Sequence, residues 1–201
     1  MLRPTTCLCW ATLMVGSALP VLAQNPCTDF LGSVAKIQSG SELGAGVIVN
    51  ADTTTIAIAT ASHVIAGTAP VEVTFHGLQN RKFAPSRLIS TPVNEDDLAV
   101  LLVKADPEVV RALAPPFLVI RPSNDVQVGE RVTTIGHAFD TEWKCVAQVN
   151  SVTALARGTD ARFFTSTRSG VGDGNSGGPL FDRFGQLLGI ITRTGKDLGG
   201  D

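Results

Sequence analysis

Gly172-Asp173-Gly174-Asn175-Ser176-Gly177-Gly178-Pro179-Leu180 sets a serine among glycines. Glycine lets successive main-chain N–H groups aim at one point, and a serine on such a tight turn has its hydroxyl exposed. Converging N–H groups are what the oxyanion of a tetrahedral intermediate needs. Alone, the segment also fits a plain glycine-rich hairpin. Two other segments complete the chemistry. Thr60-Ala61-Ser62-His63-Val64-Ile65 puts a histidine just past an alternating apolar run, at the mouth of a turn. Asn94-Glu95-Asp96-Asp97-Leu98-Ala99-Val100-Leu101 puts an acid at the head of a very apolar strand. A serine nucleophile needs a base, and the base needs an orienting acid. His63, Asp97 and Ser176 fill those roles, with Asp96 as the rival acid.

Their order discriminates. Gly174-x-Ser176-x-Gly178 also fits the nucleophile elbow of α/β-hydrolases, but those carry serine, acid, then histidine. The last histidine here is His137, so none follows Ser176. A subtilisin order would put the acid first; Asp52 precedes His63, but nothing around Ser176 suggests that fold. Histidine, aspartate, serine is the chymotrypsin order.

The elements that must carry these residues have a period close to two. Leu31–Gln38, Ala45–Asn50, Thr54–Thr60, Val71–Gly77, Arg81–Ile89, Asp97–Val103, Glu130–Gly136, Cys145–Ala156, Arg162–Thr167 and Gln186–Thr192 are predicted strands. Only Ser62–Ala66 and Pro107–Ala114 suit short helical turns. Many strands at roughly ten-residue spacing point to a sandwich or barrel. The chain has 201 residues, with 44% hydrophobic and 17% charged, too apolar for a disordered chain. Sixteen Lys+Arg against eighteen Asp+Glu lack the basic excess of a nucleic-acid-binding protein. The three histidines lack metal-site spacing. No metal, cofactor or nucleic acid is expected. Ala114-Pro115-Pro116 and Arg121–Asp125 look like a connector between two strand clusters.

With these motifs in place, the chain resembles the trypsin-like (chymotrypsin-fold) serine endopeptidases, in particular the bacterial branch that includes the HtrA/Deg proteases. Gly44–Val49 is similar to their first-barrel hairpin, Thr60–Ile65 to the histidine motif and Asp97–Val103 to the aspartate motif. Gln127–Gly136 resembles the entry to the second barrel, Gly174–Leu180 the serine motif, and Gly189–Thr192 the strand beside the specificity pocket. The resemblance implies an all-β fold of two six-stranded antiparallel β-barrels with the site in the cleft between them. Residues 24–115 would form the first barrel and 116–201 the second. It also implies a protein or peptide substrate, Ser176 as nucleophile, His63 as general base and then acid, and Asp97 as the group that fixes the imidazole. The Gly174 and Ser176 N–H groups would form the oxyanion hole. A catalytically inactive or latent peptide-binding module is the competing reading, and a serine esterase a third.

Family register puts the pocket floor at Gly170, bordered by Thr192, Arg193 and Thr194. No acid stands at Gly170, so a preference for basic side chains is not expected. A small or medium apolar side chain fits a glycine floor, and Arg193 or Arg168 could instead attract an acidic one. Asn175 stands where digestive relatives carry an aspartate that pairs with a newly cut N-terminus; a neutral amide cannot make that pair, so no activating cleavage is expected. The strand after Gly189–Arg193, and a C-terminal helix, are not legible in Thr194–Asp201: the chain is either cut short or lacks its last strand. No PDZ-like segment follows.

Met1–Ala23 has the layout of a secretory signal, with Arg3 ahead of an uncharged apolar run and cleavage expected before Gln24. The run is short for a membrane span and holds Gly16 and Pro20. The mature chain is therefore expected in a periplasm or outside the cell, away from the membrane. Cys7 and Cys9 leave with the signal. Cys27 and Cys145 remain, and one disulfide between them is expected, contributing ~3–5 kcal/mol by loop closure. His76 is expected at the surface, and Trp143 as a packing residue near Cys145.

Overall fold

The structure is a computed structural model that describes residues 26–94, 96–113, 118–138, 141–155, 163–165 and 171–192. A short helix, α1 (Pro26–Asp29), and a 3-10 turn (Leu31–Ser33) lead into β1 (Val34–Ser39). Then come β2 (Glu42–Ala51), β3 (Thr55–Ala61), a 3-10 turn (Ser62–Ile65), β4 (Val71–Phe75), β5 (Ser86–Ser90) and β6 (Leu98–Lys104). Helix α2 (Pro107–Leu113) and a 3-10 turn (Ser123–Asp125) precede β7 (Arg131–Gly136), β8 (Lys144–Leu155), β9 (Phe163–Thr165), β10 (Pro179–Phe181) and β11 (Leu187–Ile190).

Every pairing between these strands is antiparallel, and they form two sheets. The first has six strands in the order β4-β1-β2-β3-β6-β5. The second has five among the described residues, in the order β11-β10-β7-β8-β9. The predicted strands are found with shifted ends. Leu31–Ser33, read as the start of a strand, is a 3-10 turn. Ser62–Ile65 and Pro107–Leu113 are the short helical pieces expected. β10 was not anticipated: it is three residues long, begins with Pro179 and is buried throughout, so it shows no alternation.

One core lies within the first sheet, built on Ile37, Ile56, Ile58, Phe75, Leu101 and Val103. A small one, with Val132, Val152 and Leu180, belongs to the second sheet. Between them a third core joins Phe30, Val34, Ala45 and Val47 to Ile135, Trp143, Phe181 and Leu187. Phe30 stacks on Phe181 with ring centroids 4.8 Å apart. The expected disulfide joins Cys27 to Cys145, with Cα atoms 5.5 Å apart, and so clips α1 onto β8.

The connector is also fastened. The Arg121 guanidinium donates to Glu130 Oε2 (2.6 Å) and Oε1 (2.9 Å), to Asp182 Oδ2 (3.3 Å) and to the Asp125 carbonyl. Asp182, 2% exposed, turns its other oxygen to the N–H groups of Phe184 (2.8 Å) and Gln186 (2.9 Å) and closes the β10–β11 hairpin. Hydrogen bonds from Arg121 hold the Glu130 carboxyl below its ordinary value. Among the described residues no helix is long and apolar enough to cross a membrane.

Candidate active site

The register of two strands brings histidine and acid together. β3 pairs with β6 so that Ala61 faces Leu98. His63 lies two residues past the end of β3, and Asp97 one residue before β6 begins, so both emerge at the same end of the ladder. Asp97 holds a left-handed φ of 53°, a conformation that a short polar residue tolerates better than most. Its carbonyl accepts from the Ser62 N–H (3.0 Å), and Ser62 Oγ donates to the Leu98 carbonyl (2.6 Å). The Asp97 carboxylate thereby turns inward and is 1% exposed, while Asp96 beside it is exposed.

Both carboxylate oxygens are committed to His63. Oδ2 lies 2.7 Å from the ring Nδ1, and Oδ1 accepts the main-chain N–H at 2.9 Å. The carboxylate takes a proton from Nδ1–H in that bond, which leaves Nε2 as the ring's acceptor. The side chain of His63 remains 32% exposed, so the free edge of the ring is reachable from solvent.

Ser176 is held from the other sheet but tied to the first. Its carbonyl accepts the Ala45 N–H of β2 at 2.7 Å. The Ala45 carbonyl in turn accepts Thr60 Oγ1 of β3 at 2.7 Å. Gly177, at φ 82°, sits so close that a Cβ would lie 2.9 Å from the Ala61 nitrogen and nearer still to Ala45 and Thr60. Only glycine meets both the left-handed backbone and that space. Gly177 N–H donates to the Ile191 carbonyl (2.6 Å) and Ile191 N–H to the Gly178 carbonyl (2.9 Å), which fastens the loop to the end of β11. The serine segment is thus laid against the strand that carries His63. Among the described residues no hydrogen bond links Ser176 Oγ to the His63 ring, and neither the Gly174 nor the Ser176 N–H donates to a main-chain carbonyl.

Asn175 is 1% exposed, and neither atom of its amide has a hydrogen-bond partner. Its Oδ1 presses on the backbone of Gly136, 2.9 Å from where a Cβ would stand. Of the four residues expected around the specificity pocket, Thr192 is half-buried just past β11. Gly170, Arg193 and Thr194 lie outside the described residues.

Sequence reasoning missed His137. Read as a loop residue after Gly136, it is 1% exposed, and burial pushes its pKa down to about 4. Its ring meets Ala35 from β1 and Trp143, partners that local sequence gives no means of pairing with it. Trp143 is the packing residue expected near Cys145, and it also takes His76, half-buried, against its ring at 5.5 Å.

Residues 44–190 match the family described as trypsin-like peptidase domain, and this chain belongs to that family. The fold is accordingly the chymotrypsin-like all-β type. Among curated relatives, a probable periplasmic serine endoprotease DegP-like from Hahella chejuensis is 33% identical over 81% of this chain and 33% of its own length. One from a Marinomonas species is 31% identical over 84% of this chain and 34% of its own. The chain thus spans about a third of the length of these relatives. Among solved structures, the HtrA-type protease AlgW with a tripeptide is similar at a TM-score of 0.64 and 26% identity, over 82% of this chain and 52% of that one. The serine endoprotease from Yersinia pestis gives a TM-score of 0.64 at 26% identity, over 86% and 57%.

Proposed function

We propose that this chain is a serine endopeptidase that hydrolyses peptide bonds in proteins or peptides through an acyl-enzyme. The observation that carries the proposal is the double grip of Asp97 on His63, at the ring and at the main chain. That grip leaves Nε2 free to accept a proton. Ser176 Oγ attacks the scissile carbonyl while Nε2 takes the hydroxyl proton. The negative charge that develops on the carbonyl oxygen falls toward the N–H groups of Gly174 and Ser176. The intermediate collapses, Nε2–H protonates the leaving amine, and the acyl group stays on Ser176. Water, deprotonated by Nε2, then releases the acid product and restores the serine. The contact between Ser176 and His63 is of a kind that often closes only when substrate is bound.

Residues 24–115 and 116–201 then serve as the two halves, with the peptide running between them. Met1–Ala23 acts as an export signal and the mature chain works in a periplasm or outside the cell. The Cys27–Cys145 disulfide suits an oxidising compartment, and the named relatives are periplasmic.

A fluorophosphonate probe tests the reading on the chain from Gln24. The parent takes up the probe and Ser176→Ala, equally folded, does not. A peptide substrate assayed beside an ester separates a peptidase from an esterase. A folded parent that refuses the probe would sink the proposal and leave a peptide-binding module on a protease fold.

A further inference from the structure

The end of β7 and the serine segment are fitted to each other at main-chain level. His137 N–H donates to the Gly174 carbonyl at 3.0 Å. Gly174 holds φ 92°, and a Cβ there would lie 2.8 Å from the His137 carbonyl carbon and nearer still to its oxygen. Asn175 closes on Gly136 from the same side. The height of the 136–138 backbone therefore sets the height of Gly174.

What sets the 136–138 backbone is the His137 side chain. Its Nδ1 accepts the Trp143 N–H at 3.1 Å, and its Nε2 faces the Ala35 carbonyl of β1 at 3.4 Å. The Trp143 indole stands edge-on to the ring, with centroids 5.0 Å apart and an angle of 84°. Trp143 itself is held at a left-handed φ of 50°, with its indole N–H on the Val34 carbonyl at 3.0 Å. The ring thus bridges β1 and the turn before β8.

We infer that His137 is the positioning residue of the Gly174–Ser176 segment, its ring wedged between Ala35 and Trp143 so that the Gly174 N–H points where the oxyanion forms. The inference rests on the peptidase reading for its consequence and on geometry alone for the coupling. The two ring nitrogens need opposite characters here: an acceptor for a main-chain N–H and a donor for a main-chain carbonyl. Neutral imidazole with its proton on Nε2 supplies both. A second proton would set N–H against N–H at Trp143. The charged groups around the ring are Lys36 on β1, which opposes that proton, and Glu142 ahead of β8, which favours it; the two pair with each other. His76 reaches Trp143 from the end of β4. The ring stays neutral down to about pH 4.

The test compares parent, His137→Asn and His137→Phe on the chain from Gln24. An asparagine oxygen can take the place of Nδ1, whereas phenylalanine offers no acceptor. In nitrogen-15 NMR with labelled glycine and histidine, the Gly174 amide of the parent should titrate with the His137 ring near pH 4, and that step should vanish in His137→Asn. On an activated ester, kcat of the phenylalanine variant should fall about 30- to 100-fold with KM within about threefold, the scale of a displaced oxyanion donor. His137→Asn should recover to within about fivefold of the parent. A Gly174 amide that ignores the His137 titration overturns the inference. So does a folded phenylalanine variant with parental kcat. Should that variant fail to fold, the asparagine variant decides: parental kcat with the titration lost supports the inference, and an unchanged titration refutes it. A parent that hydrolyses nothing defeats the peptidase reading, and the NMR titration still decides the coupling.

Discussion

Asp97→Asn is the substitution whose outcome the geometry fixes most tightly. Asp97 accepts two bonds from one residue, the His63 main-chain N–H on Oδ1 and the ring Nδ1–H on Oδ2. Asparagine offers one oxygen and one NH2 group. The main-chain N–H cannot change its character, so the amide oxygen turns to it and the NH2 group faces the ring. The ring then answers by moving its proton to Nε2, where it can no longer accept the proton of Ser176. Restoring the productive tautomer sets two donors against each other at a site where the acid is 1% exposed. An unpaired buried donor costs ~1–3 kcal/mol, so two cost ~2–6 kcal/mol. At ~1.4 kcal/mol per decade that is a loss of roughly 30-fold to 10⁴-fold in kcat. The assay is kcat and KM on a chromogenic peptide, together with nitrogen-15 NMR of the His63 ring. The expected result is a folded variant with kcat down in that range and the proton on Nε2. A kcat within about fivefold of the parent, or a ring still protonated at Nδ1, would refute the reasoning.

Gly177→Ala and Gly77→Ala form a matched pair, since both glycines hold φ 82° but only Gly177 is packed. Chemical denaturation should show Gly77→Ala losing the left-handed penalty alone, ~1–2 kcal/mol, and Gly177→Ala losing ~3–5 kcal/mol with it. Arg121→Ala should lose ~2–4 kcal/mol in the same assay, because Asp182 is left buried without its cation. Glu130 gives that difference a pH dependence. Its folded carboxyl titrates below the ordinary 4.5, so its stabilisation is whole above that value and fades as pH falls through the lower folded one. The gap between parent and Arg121→Ala should therefore narrow in acid. Cys27→Ser with Cys145→Ser opens a loop closed over 118 residues and should cost ~3–5 kcal/mol, read from denaturation with and without reductant.

The chemistry was legible in sequence because each motif is local. His63, Asp97 and Ser176 each announce themselves within a few residues, by an apolar run that ends or begins beside them or by the glycines around the serine. The strands of the first sheet were legible for a similar reason, since their faces alternate. What a period cannot carry is a partner. The ladder that puts Ala61 opposite Leu98 joins segments far apart in the chain. β10 escaped because all three of its residues are buried. Arg121 looked like part of a polar connector, yet its charge is spent on Glu130 and on Asp182, 61 residues away. His137 looked like a loop residue because the carbonyl that receives its ring lies 102 residues earlier.

These non-local pieces share one consequence for the site. The acid and base belong to one sheet and the serine segment to the loop before β10 of the other, so neither sheet holds all three. Three ties join them: the Ala45 N–H on the Ser176 carbonyl, the packing of Gly177 on Thr60, and the apolar core that runs from Val34 to Phe181. The first two are short and specific and fix position to fractions of an ångström. The third is broad, buries aromatic rings and supplies most of the free energy. Phe30 belongs to that core and lies three residues after Cys27, so the disulfide anchors the segment that brings Phe30 onto Phe181. Loss of the disulfide should therefore loosen the joint between the sheets before it loosens either sheet. Probe uptake by Ser176 should fall in reductant at denaturant concentrations where the strands of the first sheet are still protected from hydrogen exchange. Simultaneous loss of both signals would show instead that the two sheets unfold as one unit and that the disulfide stabilises them equally.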